Sequence, residues 1–471
     1  MELSFLFRKS ALTLENRFNG IQEIRDWIYG HNLRNVVRIE KITFEELDQW
    51  YFSKESHNLR HKTGKFFSID GLDVKTNWGE VSHWNQPIIN QPEIGYLGII
   101  TKEINGVLHF LLQAKIEPGN VNCVQLSPTL QATKSNYTLV HEGKTPSYLE
   151  YFLKVKPDQI LVDQLQSEQG SRFLRKRNRN MIIKIDEDIK LYDNFIWLTL
   201  AQIKLLMQQD NLINMDTRTV ISCIPFSDCL RNSPSSDFKT RSDVTSLSSK
   251  FLKSFTSPDG SLHTFEELIQ FITKRKCLYD LDVCKMPLNK LDKWIIDESA
   301  IRHIEDKYFR VIAAKVEIAS REVVRWTQPM IETDQVGLCA FICKEINGTI
   351  HLVVQTKLEA GNFDILELAP TIQCLTGSYK TKQGYTDLPF LSYALTVDKK
   401  QIVYDTLQSE EGGRFYKEQN RNMLIIADDD FDLELPENYV WMTLSQIQMF
   451  IKFNNYLNIQ ARSLIAAISF L

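Results

Sequence analysis

Lys102-Glu103-Ile104-Asn105-Gly106 returns letter for letter as Lys344-Glu345-Ile346-Asn347-Gly348, an offset of 242 residues. At that offset Trp84 through Met181 lies over Trp326 through Met423 without a gap, and 40 of those 98 positions are identical. Leu165-Gln166-Ser167-Glu168 meets Leu407-Gln408-Ser409-Glu410, and Asn178-Arg179-Asn180-Met181 meets Asn420-Arg421-Asn422-Met423. Beyond the block the offset becomes 244: Trp197-Leu198-Thr199-Leu200 meets Trp441-Met442-Thr443-Leu444, and Leu47-Asp48 meets Leu291-Asp292. Solenoid repeats run to roughly 20–50 residues, so each copy is a whole domain.

The seam shows in composition. Ser227 to Ser261 holds 11 serines in 35 residues and few large apolar side chains. It reads as a flexible linker. The expected organisation is a first repeat at 1–222, a linker at 223–261 and a second repeat at 262–471.

The quoted stretch also sets the local structure. Asn105-Gly106 between two apolar runs predicts a hairpin whose second arm runs from Val107 to Glu117. In that arm Leu108, Phe110, Leu112, Ala114 and Ile116 share one face. His109, Leu111, Gln113, Lys115 and Glu117 share the other. Apolar Ile21, Ile24, Trp27 and Ile28 predict a helix from Ile21 to Tyr29, and a second short helix is expected to carry Phe44, Leu47 and Trp50. Thr199 with Gln202, and Thr443 with Gln446, form capping boxes ahead of terminal helices. The fold class expected is α+β, duplicated, with a mixed or antiparallel sheet flanked by helices.

The chain has 471 residues, 43% hydrophobic and 24% charged, with a net charge of −4. That suits a globular protein with a sizeable core, and no global basic field points to nucleic acid. No apolar run is long enough to span a membrane, and the opening run, Leu3 to Phe7, is too short for a signal peptide. The eight cysteines form no zinc or disulfide pattern. A reduced, soluble, cytoplasmic chain is expected.

Three patterns could carry chemistry. The polar strand face Gln113, Lys115, Glu117 recurs as Gln355, Lys357, Glu359. A solvated face explains such alternation once, but gives no reason to keep amide, ammonium and carboxylate in both repeats. The strand ends in Glu117-Pro118-Gly119-Asn120, a turn that can bring backbone close to a ligand. Second, Arg172, Arg175, Lys176, Arg177 and Arg179 crowd eight residues, a cluster suited to phosphate or to a solvated surface. Only Arg172 and Arg179 persist in the second repeat, as Arg414 and Arg421. Third, Gln125-Leu126-Ser127-Pro128-Thr129-Leu130-Gln131 pairs with Glu367 to Gln373, setting Thr129 and Gln131, then Thr371 and Gln373, on extended faces. Tyr137 and Tyr379 follow each segment. P-loop, Rossmann and nucleophile-elbow motifs are missing.

Gln113 to Asn120, Gln125 to Thr133, Ser135-Asn136-Tyr137, Tyr148 to Phe152 and Gln166 to Gly170 together resemble the NDP-hexose 2,3-dehydratases of deoxysugar biosynthesis. Glu367 to Cys374 and Gln408 to Phe415 are similar to that family's second half. The resemblance covers nearly the whole chain outside the serine-rich stretch. It implies two Nudix-like domains, a homodimer, a dTDP-sugar pocket in each domain, and a hydro-lyase acting on dTDP-4-keto-6-deoxy-glucose. It implies no cofactor; no Glu-rich Mg²⁺ helix of the Nudix type is recognisable, and no metal is expected. The implied reaction removes the C3 proton beside the C4 ketone and expels the C2 hydroxyl. From residue type and strand face, Glu117 or His141 is the candidate base or acid, with Lys115 and Gln113 as partners of the enolate oxygen. Arg172 and Arg179 are the candidate pyrophosphate ligands. Asn120, Thr129, Gln131 and Tyr137 are candidates for substrate contact, as are Gln355, Lys357, Glu359, Thr371, Gln373, Tyr379, Arg414 and Arg421 in the second repeat. His141 becomes Gln383, so the first repeat is the stronger catalytic candidate. The competing readings are a non-catalytic nucleotide-sugar binding or sensing protein and a Nudix-type pyrophosphohydrolase.

Overall fold

A computed structural model describes residues 3–16, 18–133, 145–227, 246–319, 323–376, 380–381, 384–385 and 388–471. It is a mixed α/β protein built of two repeated halves. Each half centres on a seven-stranded mixed sheet. In the first, Gly95–Ile104 and Val107–Ile116 form the expected hairpin, with Asn105 at φ 53° and Gly106 at φ 75°. Both central residues at positive φ give the turn whose twist matches the strands it joins. Arg177–Ile185 runs parallel to Gly95–Ile104, and Ile160–Ser167 and Phe195–Thr199 complete the core of the sheet. The second half repeats this arrangement around Gly337–Ile346 and Thr349–Lys357.

The repeats are separate in sequence and exchange strands in space. Val37–Ile42 pairs with Arg310–Ile318 of the second repeat, and Leu281–Met286 pairs reciprocally with Ser68–Thr76 of the first. Each small five-stranded sheet is therefore completed from the other repeat. At the centre, helices Met215–Ser222 and Ile459–Ala467 pack together. Fully buried Arg218 reaches Ser463 Oγ at 2.7 Å and the Ser409 carbonyl at 2.6 Å, and Arg462 mirrors it on Thr219 and Ser167. One apolar core runs through both halves across this junction.

Two local expectations change. The expected short helix is only a 3₁₀ turn, Phe44–Glu46, followed by strand Trp50–Phe52. Tertiary contacts decide this: Trp50 packs on Phe67 with ring centroids 5.0 Å apart and donates its indole N–H to the Thr327 carbonyl at 3.0 Å. Within the expected linker, Ser246–Thr256 is a helix with Phe251 and Phe255 buried. Ser254 donates to the Ile350 carbonyl as Ser10 does to that of Leu108 in the first repeat. The stretch read as linker thus contains a helix that packs on the second repeat, its apolar face masked in the sequence by serines.

Candidate active site

The site forms where a sheet forks. The two hairpin strands stay paired from the turn to Ile100 and Leu111, and then part. Val124–Ser127 pairs with one arm and Leu130–Ala132 with the other. Thr129 plugs the fork: it accepts from the Ile100 amide at 2.9 Å and donates to the Leu111 carbonyl. Thr371 does the same between Ile342 and Val353. Both hydroxyls, expected to contact substrate, are committed to backbone.

Thr129 thereby sets Gln131 across from Lys115 and Glu117. Lys115 Nζ donates to Gln131 Oε1 at 2.8 Å and lies 3.3 Å from Glu117 Oε1. Gln131 Nε2 donates to the same Glu117 oxygen at 3.0 Å. Glu117 is 5% exposed, and its Oε2 is buried with no hydrogen-bond partner. These three side chains and Gln113 line a cleft of about 800 Å³, a size that suits a small organic ligand.

The rest of the cleft is assembled from both repeats. Glu168, Lys176, Asn178 and Asp216 come from the first, and Glu411 and Arg414 from the second. Asn178 Nδ2 donates to Glu168 Oε1 at 2.5 Å. Burial pushes the carboxyls of Glu168, Glu411 and Asp216 upward, and mutual repulsion adds to the effect for Glu411 and Asp216. Burial lowers Lys176 to about 8, opposed by Glu168 and Glu93. Trp50, Phe66, Phe67 and Trp326 also line the cleft.

The cation cluster does not stay together. Arg172 lies outside the cleft lining, its guanidinium 4.1 Å from the Phe309 ring centroid. Burial pulls its pKa down, while Glu418, Glu359 and Glu410 hold it up. Arg177 stacks 3.9 Å over Phe363, and Arg179 is paired with Asp163 at 2.6 Å. Arg421 is paired likewise with Asp405. It is Arg414 that reaches the first-repeat cleft, stacked 4.5 Å over Phe67 and donating to Gln91 Oε1 at 3.2 Å. Each Gln/Glu-Gly-Ser/Gly-Arg loop packs against the opposite repeat.

The turn at Gly119 approaches protein where a ligand was expected. Its amide donates to the Gly412 carbonyl at 2.7 Å, and its carbonyl accepts from Lys417 at 2.9 Å. Asn120 holds the turn by donating to the Cys123 carbonyl at 2.7 Å. In the second repeat Gln373 bridges Glu359 Oε1 at 3.0 Å and Asn458 at 2.6 Å, Lys357 reaches the Gln373 carbonyl at 3.3 Å, and Gln355 is tied to the Pro370 carbonyl at 2.7 Å. Tyr137, His141 and Tyr379 lie outside the described residues.

A family model described as NDP-hexose 2,3-dehydratase matches residues 21–224 and 265–468. The chain belongs to the NDP-hexose 2,3-dehydratase family. Curated relatives are named dTDP-4-dehydro-6-deoxy-alpha-D-glucopyranose 2,3-dehydratase. The chain is 43% identical to that of Saccharopolyspora spinosa, covering 98% of this chain and 94% of the relative. It is 40% identical to that of Amycolatopsis orientalis, covering 98% and 92%. Identity to that of Streptomyces violaceoruber is 38%, covering 94% and 95%.

Within this family member the repeats are chemically unequal. By the repeat offsets, Lys176, Glu411 and Asp216 of the cleft correspond to Glu418, Gln169 and Gln460. Lys176 was legible in the sequence as part of the cation cluster, whereas Glu411 and Asp216 were not singled out. Their signal lies in the differences: a carboxylate in one copy faces an amide in the other twice, and a lysine faces a glutamate once.

Proposed function

We propose that the chain is a nucleotide-sugar 2,3-dehydratase, eliminating water across C2–C3 of a dTDP-4-keto-6-deoxy-hexose to give a 3,4-diketo-2,6-dideoxy sugar. The observation that carries this is the Lys115–Glu117–Gln131 group, which offers a carboxylate oxygen with no protein partner beside an ammonium and an amide. Glu117 takes the C3 proton, which the neighbouring ketone acidifies. The C–H electrons move to the C4 oxygen, where Lys115, helped by Gln113, stabilises the enolate. The enolate collapses, the C2–O bond breaks, and the resulting enol tautomerises to the diketone. Arg414 and Lys176, both lining the cleft, are the proposed partners of the pyrophosphate.

The same reading takes each large sheet with its helices as Nudix-like, the two repeats as one catalytic unit, the protein as a cytoplasmic homodimer, and the reaction as free of metal and redox cofactor. Support for the last point is that an α-keto proton needs only a base and an oxyanion partner. The test is incubation of the pure protein with dTDP-4-keto-6-deoxy-glucose, without NAD(P) and in excess EDTA. Loss of one water by mass spectrometry is expected. Unchanged substrate, or activity returning only with Mg²⁺, overturns the mechanism.

A further inference from the structure

We infer that Asp216 is the acid that protonates the departing C2 hydroxyl, an assignment that rests on the dehydratase reading. Asp216 sits in the first turn of helix Met215–Ser222 and lines the cleft. The preceding residue but one, Asn214, fixes that turn by accepting from the Thr217 amide at 2.8 Å and donating to Ser127 Oγ at 2.9 Å. Asp216 is 2% exposed, and its Oδ1 is buried without a hydrogen-bond partner. A buried, unpaired carboxylate is costly, whereas a neutral carboxylic acid carries a proton it can give away. Glu168, Glu411 and Glu117 all act to keep it neutral, and Lys115 opposes them. The other repeat carries Gln460 here, whose buried Oε1 also lacks a partner. The framework therefore tolerates an amide, but at this position only the first repeat has a transferable proton.

The two carboxyls then divide the work. Glu117 gains the C3 proton. When the C2–O bond breaks, its electron pair stays on oxygen, which takes the Asp216 proton and leaves as water. Solvent afterwards reprotonates Asp216 and deprotonates Glu117.

The test separates the two proton transfers. In deuterated water, Asp216→Asn should still exchange the C3 hydrogen of dTDP-4-keto-6-deoxy-glucose, because Glu117 is intact. Its rate of water loss should fall by roughly 10²–10⁴-fold, the span for removal of a general acid, with dTDP affinity retained. Asp216→Glu should recover part of the rate. Asp216→Gln, the residue present in the other repeat, repeats the measurement if the Asn variant unfolds, with melting temperature as the check on folding. Elimination at the native rate overturns the assignment. So does loss of exchange together with elimination in a folded, dTDP-binding variant, which makes Asp216 a base or a positioning residue. A native enzyme that neither exchanges nor eliminates defeats the dehydratase reading itself.

Discussion

Lys115 Nζ lies 3.3 Å from Glu117 Oε1, two residues along one strand face, in a cleft where only 13% of the lysine side chain meets solvent. Strand alternation puts both groups on that face, and Gln131 bridges them from beyond the fork. In the second repeat Lys357 instead reaches a backbone carbonyl. Lys115→Ala should therefore cost roughly 10²–10⁴-fold in kcat, the scale of losing a group that acts on the developing charge. Lys357→Ala should act on stability or binding. Steady-state kinetics of the two variants checks this, and the reverse ranking would move the chemistry to the second repeat.

The exchange of loops between repeats gives an equally direct expectation for the nucleotide. Arg414 lines the cleft and Arg172 does not. Removing one charge-assisted contact costs about 1.5–3 kcal/mol, roughly ten- to a hundred-fold in affinity. Calorimetric titration with dTDP should show that loss at the first-repeat cleft for Arg414→Ala and little change there for Arg172→Ala. Arg179→Ala should also do little, because its partner is the half-exposed Asp163 and such pairs contribute about 0–1 kcal/mol. Weaker binding with Arg172→Ala alone would return the pyrophosphate to the position the sequence suggested.

The duplication, the hairpin, the capping boxes and the Lys115–Glu117 face were legible in the sequence because each depends on residues close together or on one periodicity. The exchange of Val37–Ile42 with Leu281–Met286 was not. Both strands carry the same pattern, and nothing local tells a strand which of two similar sheets it joins. The packing of the Arg414 loop against Phe67 and Gln91 of the opposite repeat is equally non-local, and it left no mark in the sequence around Arg414. Asp216 was invisible for a different reason: a carboxylate in a helix's first turn reads as a favourable dipole partner, and only the cleft gives it another meaning.

Close approach of the two halves should make Gly119 intolerant of even one methyl group. A Cβ there would stand 1.6 Å from the Phe415 carbonyl oxygen, a backbone atom with no rotamer to yield. Gly119→Ala should cost roughly 2–5 kcal/mol, combining overpacking with the two inter-repeat backbone hydrogen bonds it displaces. Gly64→Ala is the control. Gly64 has φ 65° but open space around the added atom, so only the left-handed backbone cost of about 1–2 kcal/mol applies. Denaturant midpoints should fall much further for the first variant. Equal shifts would mean the halves can separate at this turn without loss.

Lys204 gives the stability of the chain a pH dependence of predictable sign. Its ammonium is fully buried between the Phe226 and Phe470 rings and donates to the Ala466 and Ile468 carbonyls at 2.8 and 2.7 Å. Burial lowers its pKa to about 7, against about 10.4 in an unfolded chain. Between these values the unfolded chain holds a proton that the folded protein has released. Unfolding then takes up protons, so this lysine makes stability rise with pH across the window, by at most about 1.4 kcal/mol per unit. Below about pH 7 both states are protonated and its contribution is flat. The second repeat has Gln448 at the corresponding place, donating to the Ile224 carbonyl at 2.7 Å without any charge. Lys204→Gln should therefore stabilise the protein most at the low end of the window and flatten the slope. Urea midpoints of both proteins at several pH values from about 7 to 10 measure the difference directly. Parallel curves would show that Lys204 keeps its proton in the folded protein and that the buried carbonyls, with the two rings, solvate an ammonium well enough to offset desolvation.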